Sequence, residues 1–227
     1  MQNIECETLG TLDGLLRSDG YEIDVLSGPT DHIPVSADGY SGIIILGGPV
    51  AVYDNLPFLS REQNLIRSAI KSGTHVLGIC LGSQLIAQAA GGDVSKGIKK
   101  EIGWHEVALT PEGSSDVFNG IDIHRPLGVF QWHGDTYKLP ISASILARNP
   151  LYPQAFRIGS AIGIQFHLEV NERMIRRWTD EYRRELEYER IDPGDLLPTG
   201  HQGAELESMC KVVYRNFSGR LRKCATY

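Results

Sequence analysis

Two hydrophobic patterns alternate in the first half of the chain and predict its secondary structure. Leucines recur at helical spacing within residues 8–18, and residues 61–72 also predict a helix. Residues 42–46 and 75–79 are short apolar runs, which is typical of strands buried on both faces. Helices that alternate with buried strands indicate a parallel sheet covered on both sides.

The N-terminal end of this sheet is less regular. Residues 21–26 predict a further short strand. A central parallel strand should also precede the first helix, but only residues 2–5 are available for it. Either that strand is very short or apolar residues precede Met1, and the sequence leaves both alternatives open.

From residue 104 onward the chain predicts strands joined by short turns, with mixed directions. An amphipathic helix follows over residues 172–190, and a last helix covers residues 204–217. We therefore expect an α/β fold with a doubly wound, mostly parallel central sheet, helices on both faces and a small antiparallel addition. Residues 1–190 are expected to form one domain, with residues 191–227 as a C-terminal helical extension packed on it. The predicted strands of this half are residues 104–109, 127–132, 144–147, 154–158 and 161–166.

Composition narrows the possible partners. The net charge of −6 argues against a basic surface for nucleic acid, and no apolar run approaches the roughly 18 residues of a membrane span. The N-terminus lacks the basic and apolar regions of a signal peptide, so we expect a cytoplasmic protein. No His-Glu-x-x-His motif occurs, so no metal site is expected, and no cofactor is implied. The cysteines, which form no Cys-x-x-Cys pair and suit a reduced compartment, are Cys6, Cys80, Cys210 and Cys224.

One cysteine lies where a nucleophile would be expected. Cys80 stands in the sequence Gly78-Ile79-Cys80-Leu81-Gly82, between a predicted strand and a predicted helix. Glycines permit a sharp turn and close approach of a substrate to the backbone. The helix N-terminus is expected to lower the pKa of the Cys80 thiol. The alternative is a buried core cysteine beside a tight turn.

Two further sequence features could complete a catalytic site. His167 and Glu169 are separated by one residue at the end of a predicted strand, so their side chains point the same way. A carboxylate beside an imidazole orients a catalytic base, although a lone His at a strand end is more often structural. Gly47-Gly48-Pro49 follows another strand, where backbone N–H groups could face a ligand. By itself this tripeptide is only a turn signal.

Four sequence motifs occur in the order found in the class I glutamine amidotransferases, which this chain resembles. The resemblance covers roughly residues 1–190, is strongest to stand-alone relatives of the GMP synthase glutaminase domain, and implies a flavodoxin-like fold. The motifs are Gly47-Gly48-Pro49 with Val52-Tyr53-Asp54, Gly78-Ile79-Cys80-Leu81-Gly82-Ser83-Gln84, Trp132-His133-Gly134-Asp135, and Gln165-Phe166-His167-Leu168-Glu169.

This resemblance implies hydrolysis of the side-chain amide of glutamine through a cysteinyl thioester. It assigns a nucleophile, a base with its orienting acid, an oxyanion hole of backbone N–H groups, and contacts to the α-amino and α-carboxylate end of the substrate. The residues are Cys80, His167 and Glu169 for catalysis, Gly48 and Leu81 for the oxyanion hole, and Gln84, Gly134 and Asp135 for substrate binding.

Three functions remain compatible with these motifs. The first is a glutaminase that supplies ammonia to a separate synthase subunit, because the chain has no phosphate-binding Gly-x-x-x-x-Gly-Lys-Ser/Thr loop of its own. The second is a hydrolase of γ-glutamyl peptides that uses the same three residues. The third, and least favoured, is a non-catalytic homologue that has kept the fold.

Overall fold

The computed structural model describes residues 1–221, which form seven strands and seven α-helices. A short 3-10 helix also covers Pro193–Leu196. The strands are β1 (Gly42–Ile45), β2 (His75–Ile79), β3 (Asp93–Leu109), β4 (Leu127–Lys138), β5 (Ser144–Arg148), β6 (Pro153–Ile158) and β7 (Ala161–Ile164). The helices are α1 (Thr11–Ser18), α2 (Pro57–Ser72), α3 (Leu81–Ala89), α4 (Pro111–Ser114), α5 (Glu172–Glu181), α6 (Arg183–Glu189) and α7 (Gly200–Ser218).

The strands form one sheet in the order β1-β2-β7-β6-β5-β3-β4. β1, β2 and β7 run parallel, and the pairs from β7 through β6, β5 and β3 to β4 are antiparallel. The predicted α/β fold is confirmed. Its antiparallel addition, β3 to β6, is larger than the sequence suggested, because β3 already begins at Asp93, β4 continues to Lys138, and the two strands pair along most of this length.

Helices cover both faces of the parallel strands. Val76 of β2 packs in a cluster with side chains of α2 and α3, whereas the next residue, Leu77, packs with those of α1, α5 and α7. Successive strand residues point to opposite faces, so one buried strand contributes to both hydrophobic clusters. Because β2 and β7 are neighbouring parallel strands, their carboxyl ends lie next to each other at one edge of the sheet layer.

Two details of the predicted secondary structure are wrong. Residues 21–26 form no strand, and a single parallel bridge between Gln2 and Ser27 stands where a ladder would be required. The helix expected over residues 172–190 is divided at Tyr182 into α5 and α6. Hydrophobic periodicity continues across this division, which is why the sequence pattern could not reveal it.

The C-terminal segment contacts the first helix. The hydroxyl of Tyr214 in α7 donates to the Leu15 carbonyl oxygen at 3.1 Å and to the Asp19 carboxylate at 2.7 Å. The boundary at residue 190 stays a prediction, and Cys224 lies outside the described residues. No helix within residues 1–221 is both long enough and apolar enough to cross a membrane.

Candidate active site

Cys80 occupies a strained turn between β2 and α3. Its φ of +50° and ψ of −108° are unusual for a residue with a side chain, and it is the N-cap of α3. The Cys80 amide donates to the Ile164 carbonyl oxygen of β7 at 2.9 Å. This hydrogen bond fixes the turn at the carboxyl ends of both strands. The geometry is that of the nucleophile elbow expected from the sequence.

Glycines on either side of Cys80 permit close packing. A Cβ at Gly78 would lie 2.4 Å from the Gly82 carbonyl oxygen, and a Cβ at Gly82 would lie 2.1 Å from the Ile45 carbonyl oxygen. Real Cβ atoms do not approach backbone oxygens so closely. The two glycines therefore let α3 begin directly against β1 and β2 and hold the Cys80 turn in place.

His167 lies between Cys80 and Glu169. The Nδ1 atom of His167 is 2.8 Å from Oε1 of Glu169, and the charge of the ring interacts with the Cys80 thiol, which itself donates to the Trp132 carbonyl oxygen at 3.7 Å. The His167 amide donates to the Phe130 carbonyl oxygen of β4 at 2.8 Å, which fixes the backbone just beyond β7. All three side chains are buried. The structure thus brings together the three residues that the sequence nominated.

The charges of this group depend on one another. Burial raises the pKa of the Cys80 thiol, although His167 beside it acts in the opposite direction. Burial would lower the pKa of His167, but Glu169 and Cys80 raise it well above its ordinary value. The expectation of a lowered thiol pKa is therefore wrong for this closed site, because desolvation outweighs the neighbouring imidazole. A thiolate here depends on a protonated His167 beside it.

The expected oxyanion-hole residues lie beside the same turn. Leu81 is the first residue of α3, so its N–H is among the donors that no helical carbonyl accepts. A Cβ placed on Gly48 would lie 3.1 Å from the Leu81 side chain. Gly48 and Leu81 are therefore neighbours.

The expected substrate-binding residues are joined by hydrogen bonds. The Gln84 side-chain amide donates to the Asp135 carbonyl oxygen at 3.4 Å, and the Tyr53 hydroxyl donates to Oδ1 of Asp135 at 3.1 Å. Tyr53 belongs to the segment that follows Gly48, whereas Asp135 lies in β4 next to Gly134. These contacts connect two segments at the edge of the cleft near Cys80.

A buried polar network supports β4 behind this cleft. His133 is 2.8 Å from the Asp135 carbonyl oxygen through Nδ1 and 3.0 Å from Glu101 through Nε2. Glu101 also accepts from Asn149 at 2.7 Å and from Gln154 at 2.8 Å. Each contact orients groups that would otherwise be costly to bury. His133 is thus a structural support for Asp135.

Sequence reasoning missed three residues around His167. The Trp178 ring lies 4.7 Å from the His167 ring, centroid to centroid, in an edge-to-face arrangement. Glu7 is also buried here, and its Oε1 atom accepts from the Tyr182 hydroxyl at 2.8 Å. Trp178 and Tyr182 lie in the segment predicted as an amphipathic helix, and their spacing marks them only as apolar helix positions. No local pattern distinguishes Glu7.

Cys80 is closed off from solvent, with 6% of its surface exposed. Within the described part of the chain, no group of three or more His, Cys, Asp or Glu side chains could hold a metal ion. A cavity of about 770 Å³ lies beside β1 and residues 19–26, and its described lining does not include Cys80. This cavity is therefore separate from the turn that holds Cys80.

Comparison with known proteins identifies similar sequences and structures. The family model described as glutamine amidotransferase class-I matches residues 10–176. The glutamine amidotransferase-like protein YfeJ of Salmonella typhimurium is 32% identical over 165 residues, which cover 69% of this chain and 68% of YfeJ. One subunit of the glutamine-hydrolysing GMP synthase of Pyrococcus abyssi is 33% identical over 159 residues, which cover 68% of this chain and 80% of that protein.

A solved structure extends the similarity to almost the whole chain. The crystal structure of a glutamine amidotransferase from Thermotoga maritima superposes with a TM-score of 0.88 and 34% sequence identity. The match covers 96% of this chain and 95% of the other. It therefore includes the C-terminal helices as well as the sheet.

Proposed function

This chain belongs to the class I glutamine amidotransferase family, and from that premise we propose that it hydrolyses the side-chain amide of glutamine to glutamate and ammonia. One observation carries the proposal: the His167 ring lies 2.8 Å from the Glu169 carboxylate and interacts with the Cys80 thiol, and all three groups are buried together. A sulfur nucleophile, a base and an orienting acid in this order are the groups that amide hydrolysis through a thioester requires.

In the first half of the proposed reaction, the Cys80 thiolate attacks the side-chain carbonyl carbon of glutamine. The carbonyl oxygen becomes negatively charged and accepts hydrogen bonds from the N–H groups of Gly48 and Leu81. Protonated His167 then gives its proton to the amide nitrogen, the carbon–nitrogen bond breaks, and ammonia leaves. Removing one such N–H donor costs on the order of 100-fold or more in rate in a comparable enzyme.

In the second half, neutral His167 takes a proton from water, and the resulting hydroxide attacks the thioester carbon. The carbon–sulfur bond breaks, glutamate leaves, and the Cys80 thiolate and the His167 imidazolium are restored. Glu169 holds the Nδ1–H of His167 in both halves. The raised pKa of His167 suits a group that must hold a proton until the leaving nitrogen takes it.

We place the α-amino and α-carboxylate end of glutamine at Gln84, Gly134 and Asp135. Gln84, a residue of α3, is buried and already bonded to the Asp135 carbonyl oxygen, so its side chain is held in a defined orientation. Tyr53 bridges to the Asp135 side chain across the cleft. A substrate would enter when this bridge opens, because Cys80 is buried in the closed arrangement.

The ammonia acceptor is proposed to be a separate synthase subunit. The relative from Pyrococcus abyssi is named as one subunit of a glutamine-hydrolysing GMP synthase, and 80% of its length matches this chain. Proteins that co-purify with the chain are expected to stimulate ammonia release from glutamine.

The test of the hydrolysis is the release of glutamate and ammonia from free glutamine. We expect activity in the wild-type chain, none above background in Cys80→Ala, and near wild-type activity in the control Cys210→Ala. Cys210 lies on the buried side of α7 in the hydrophobic cluster, and burial raises the pKa of its thiol. A Cys80→Ala variant that hydrolysed glutamine normally would refute the proposed mechanism.

Substrate choice needs a separate comparison. Glutamine and a series of γ-glutamyl peptides share the α-amino and α-carboxylate end but differ beyond the scissile bond. We expect kcat/KM to be highest for glutamine. A preference for the peptides would instead identify a γ-glutamyl hydrolase that uses the same residues.

A further inference from the structure

Glu7 is a buried carboxylate whose surroundings call for an explanation. It lies in the turn before α1, and its Oε1 atom accepts from the Tyr182 hydroxyl at 2.8 Å. Its Oε2 atom is fully buried and has no hydrogen-bond partner among the described residues. A buried carboxylate oxygen without a partner is costly unless a positive charge lies nearby.

That oxygen lies close to His167. A Cβ built on Gly47 would lie 2.0 Å from Oε2 of Glu7 and 3.1 Å from Cε1 of His167. Because both atoms lie close to this one point, the distance between Oε2 of Glu7 and Cε1 of His167 cannot exceed the sum of these two distances. Only a glycine fits at position 47 while both groups keep these places.

The other sides of the His167 ring are already occupied. Glu169 contacts Nδ1, the Cys80 thiol interacts electrostatically with the ring, and Trp178 lies edge-to-face with it at 4.7 Å. Cε1 lies between the two ring nitrogens, where an imidazolium carries part of its positive charge. A carboxylate at this edge stabilises the protonated ring without competing for either nitrogen.

We propose that Glu7 is a positioning residue for His167. It is a second carboxylate beside the ring, it stabilises the imidazolium, and Tyr182 holds it near the Cε1 edge of the ring. Only the expected effect of Glu7 on amide hydrolysis rests on the proposed function. Glu169 orients the ring through a hydrogen bond, whereas Glu7 acts through its charge.

The effect of Glu7 differs between stages of the reaction. While Cys80 is a thiolate, the negative Glu7 both stabilises His167 and repels the sulfur, so the two effects partly cancel. Once the Cys80 sulfur has bonded to the carbonyl carbon, the sulfur is neutral while His167 still holds its proton, and only the stabilisation of the imidazolium remains. Glu7 is therefore expected to matter most when His167 holds the proton that ammonia needs.

Several titratable groups surround this pair. Glu7 is affected by His167, Tyr182 and Glu169, and Tyr182 in turn accepts from the Cys6 thiol at 3.8 Å. Cys80 faces the ring, and Cys210 is affected by the charge of Glu169. Burial raises the pKa of Glu7, while His167 favours its charged form. The negative charge of Glu7 and the positive charge of His167 therefore favour each other.

The test is the rate of Cys80 alkylation by iodoacetamide as a function of pH, followed by mass spectrometry of the Cys80 peptide. In Glu7→Gln, removal of a negative charge should lower both apparent pKa values of the Cys80–His167 pair. We expect the higher one to fall by about one pH unit and the lower one by less. The alkaline limb of glutamine hydrolysis should shift in the same direction and by the same amount.

Two other variants sharpen the comparison. Glu5→Gln is the matched control, because Glu5 is exposed and pairs with Arg177 at the surface. It should leave both pKa values unchanged. Tyr182→Phe keeps Glu7 but removes its hydrogen-bond donor, and it should give a smaller shift in the same direction. This variant also tests the inference if Glu7→Gln folds poorly.

The outcomes separate this inference from the proposed function. A Glu7→Gln variant in which only KM, the overall rate or the melting temperature changes, with both pKa values unmoved, would overturn the inference. A wild-type chain that does not hydrolyse glutamine would refute the proposed function. The shift in Cys80 alkylation would still support the role of Glu7 in that case, because this readout does not require glutamine hydrolysis.

Discussion

The backbone carbonyl oxygen of Glu169 accepts a 2.8 Å hydrogen bond from the amide of Thr11, the first residue of α1. The preceding residue, Gly10, has a φ of +51°, and a Cβ there would lie 2.1 Å from the same oxygen. The beginning of α1 thus fixes the backbone of the residue that orients His167. A position far away in sequence thereby contributes to the geometry of the candidate active site.

Replacing Gly10 should disturb both stability and catalysis. In Gly10→Ala the positive φ and the contact with Glu169 should lower the free energy of unfolding by about 1–3 kcal/mol. Glutamine hydrolysis should fall because Glu169 is displaced. Gly14→Ala is the control, since Gly14 lies inside α1 and nothing would contact its Cβ. That control should gain about 0.4–1 kcal/mol in urea unfolding, and equal losses in both variants would contradict the account.

Removing the charge of Glu169 should impair proton transfer. Glu169 raises the pKa of His167, so Glu169→Gln should move the alkaline limb of the pH–rate profile to lower pH. The rate should fall by about 10²–10⁴-fold, as expected when the acid that orients a catalytic base is lost. Glu172→Gln, in an exposed pair with Arg176, should leave the profile unchanged. Retention of the full rate in Glu169→Gln would argue against its assigned role.

The bridge across the cleft should affect substrate binding more than chemistry. Tyr53→Phe removes the hydroxyl that donates to Asp135 but keeps the ring. One hydrogen bond contributes about 0.5–1.5 kcal/mol, so KM for glutamine should change about 2- to 12-fold while kcat stays constant. Steady-state kinetics of the exposed control Tyr188→Phe should match the wild type. A drop in kcat alone would show that Tyr53 acts on the chemical step.

Glu101 should make stability depend on pH. Burial opposes the ionisation of Glu101. The hydrogen bonds from His133 and Gln154 together outweigh this effect and lower the pKa of Glu101 below the ordinary 4.5. The unfolded chain therefore binds more protons than the folded one below about pH 4.5, and the stabilisation is lost as pH falls through the folded pKa. Denaturant unfolding should show a steeper acid loss in the wild type than in Glu101→Gln. The exposed Glu106→Gln should retain the wild-type slope, and identical slopes in all three chains would contradict this role.

The central residues could be predicted from the sequence because each belongs to a local pattern. Cys80 stands between glycines at a strand-to-helix turn, and His167 and Glu169 share one side of an extended segment. Such patterns span only a few residues. The α/β fold was predictable for the same reason, since buried strands and amphipathic helices have distinct periods.

The remaining features depend on contacts between distant segments. Glu7 reaches His167 only after α1 and the loop at Gly47 are in place, so no neighbouring residue marks it. The direction of the Cys80 pKa was missed because burial of the thiol is a property of the assembled site. The failed strand at residues 21–26 shows the same limit, because a strand needs partners along its length.

Covalent capture of Cys80 tests the main proposal most directly. A glutamine analogue that carries an electrophilic diazoketone in place of the side-chain amide would be incubated with the chain, followed by peptide mass spectrometry. The account predicts one adduct on Cys80, slowed by excess glutamine and lost in His167→Ala, with Cys6 and Cys210 unmodified. Equal labelling of all three buried thiols, or no adduct on Cys80 while glutamine is being hydrolysed, would contradict it.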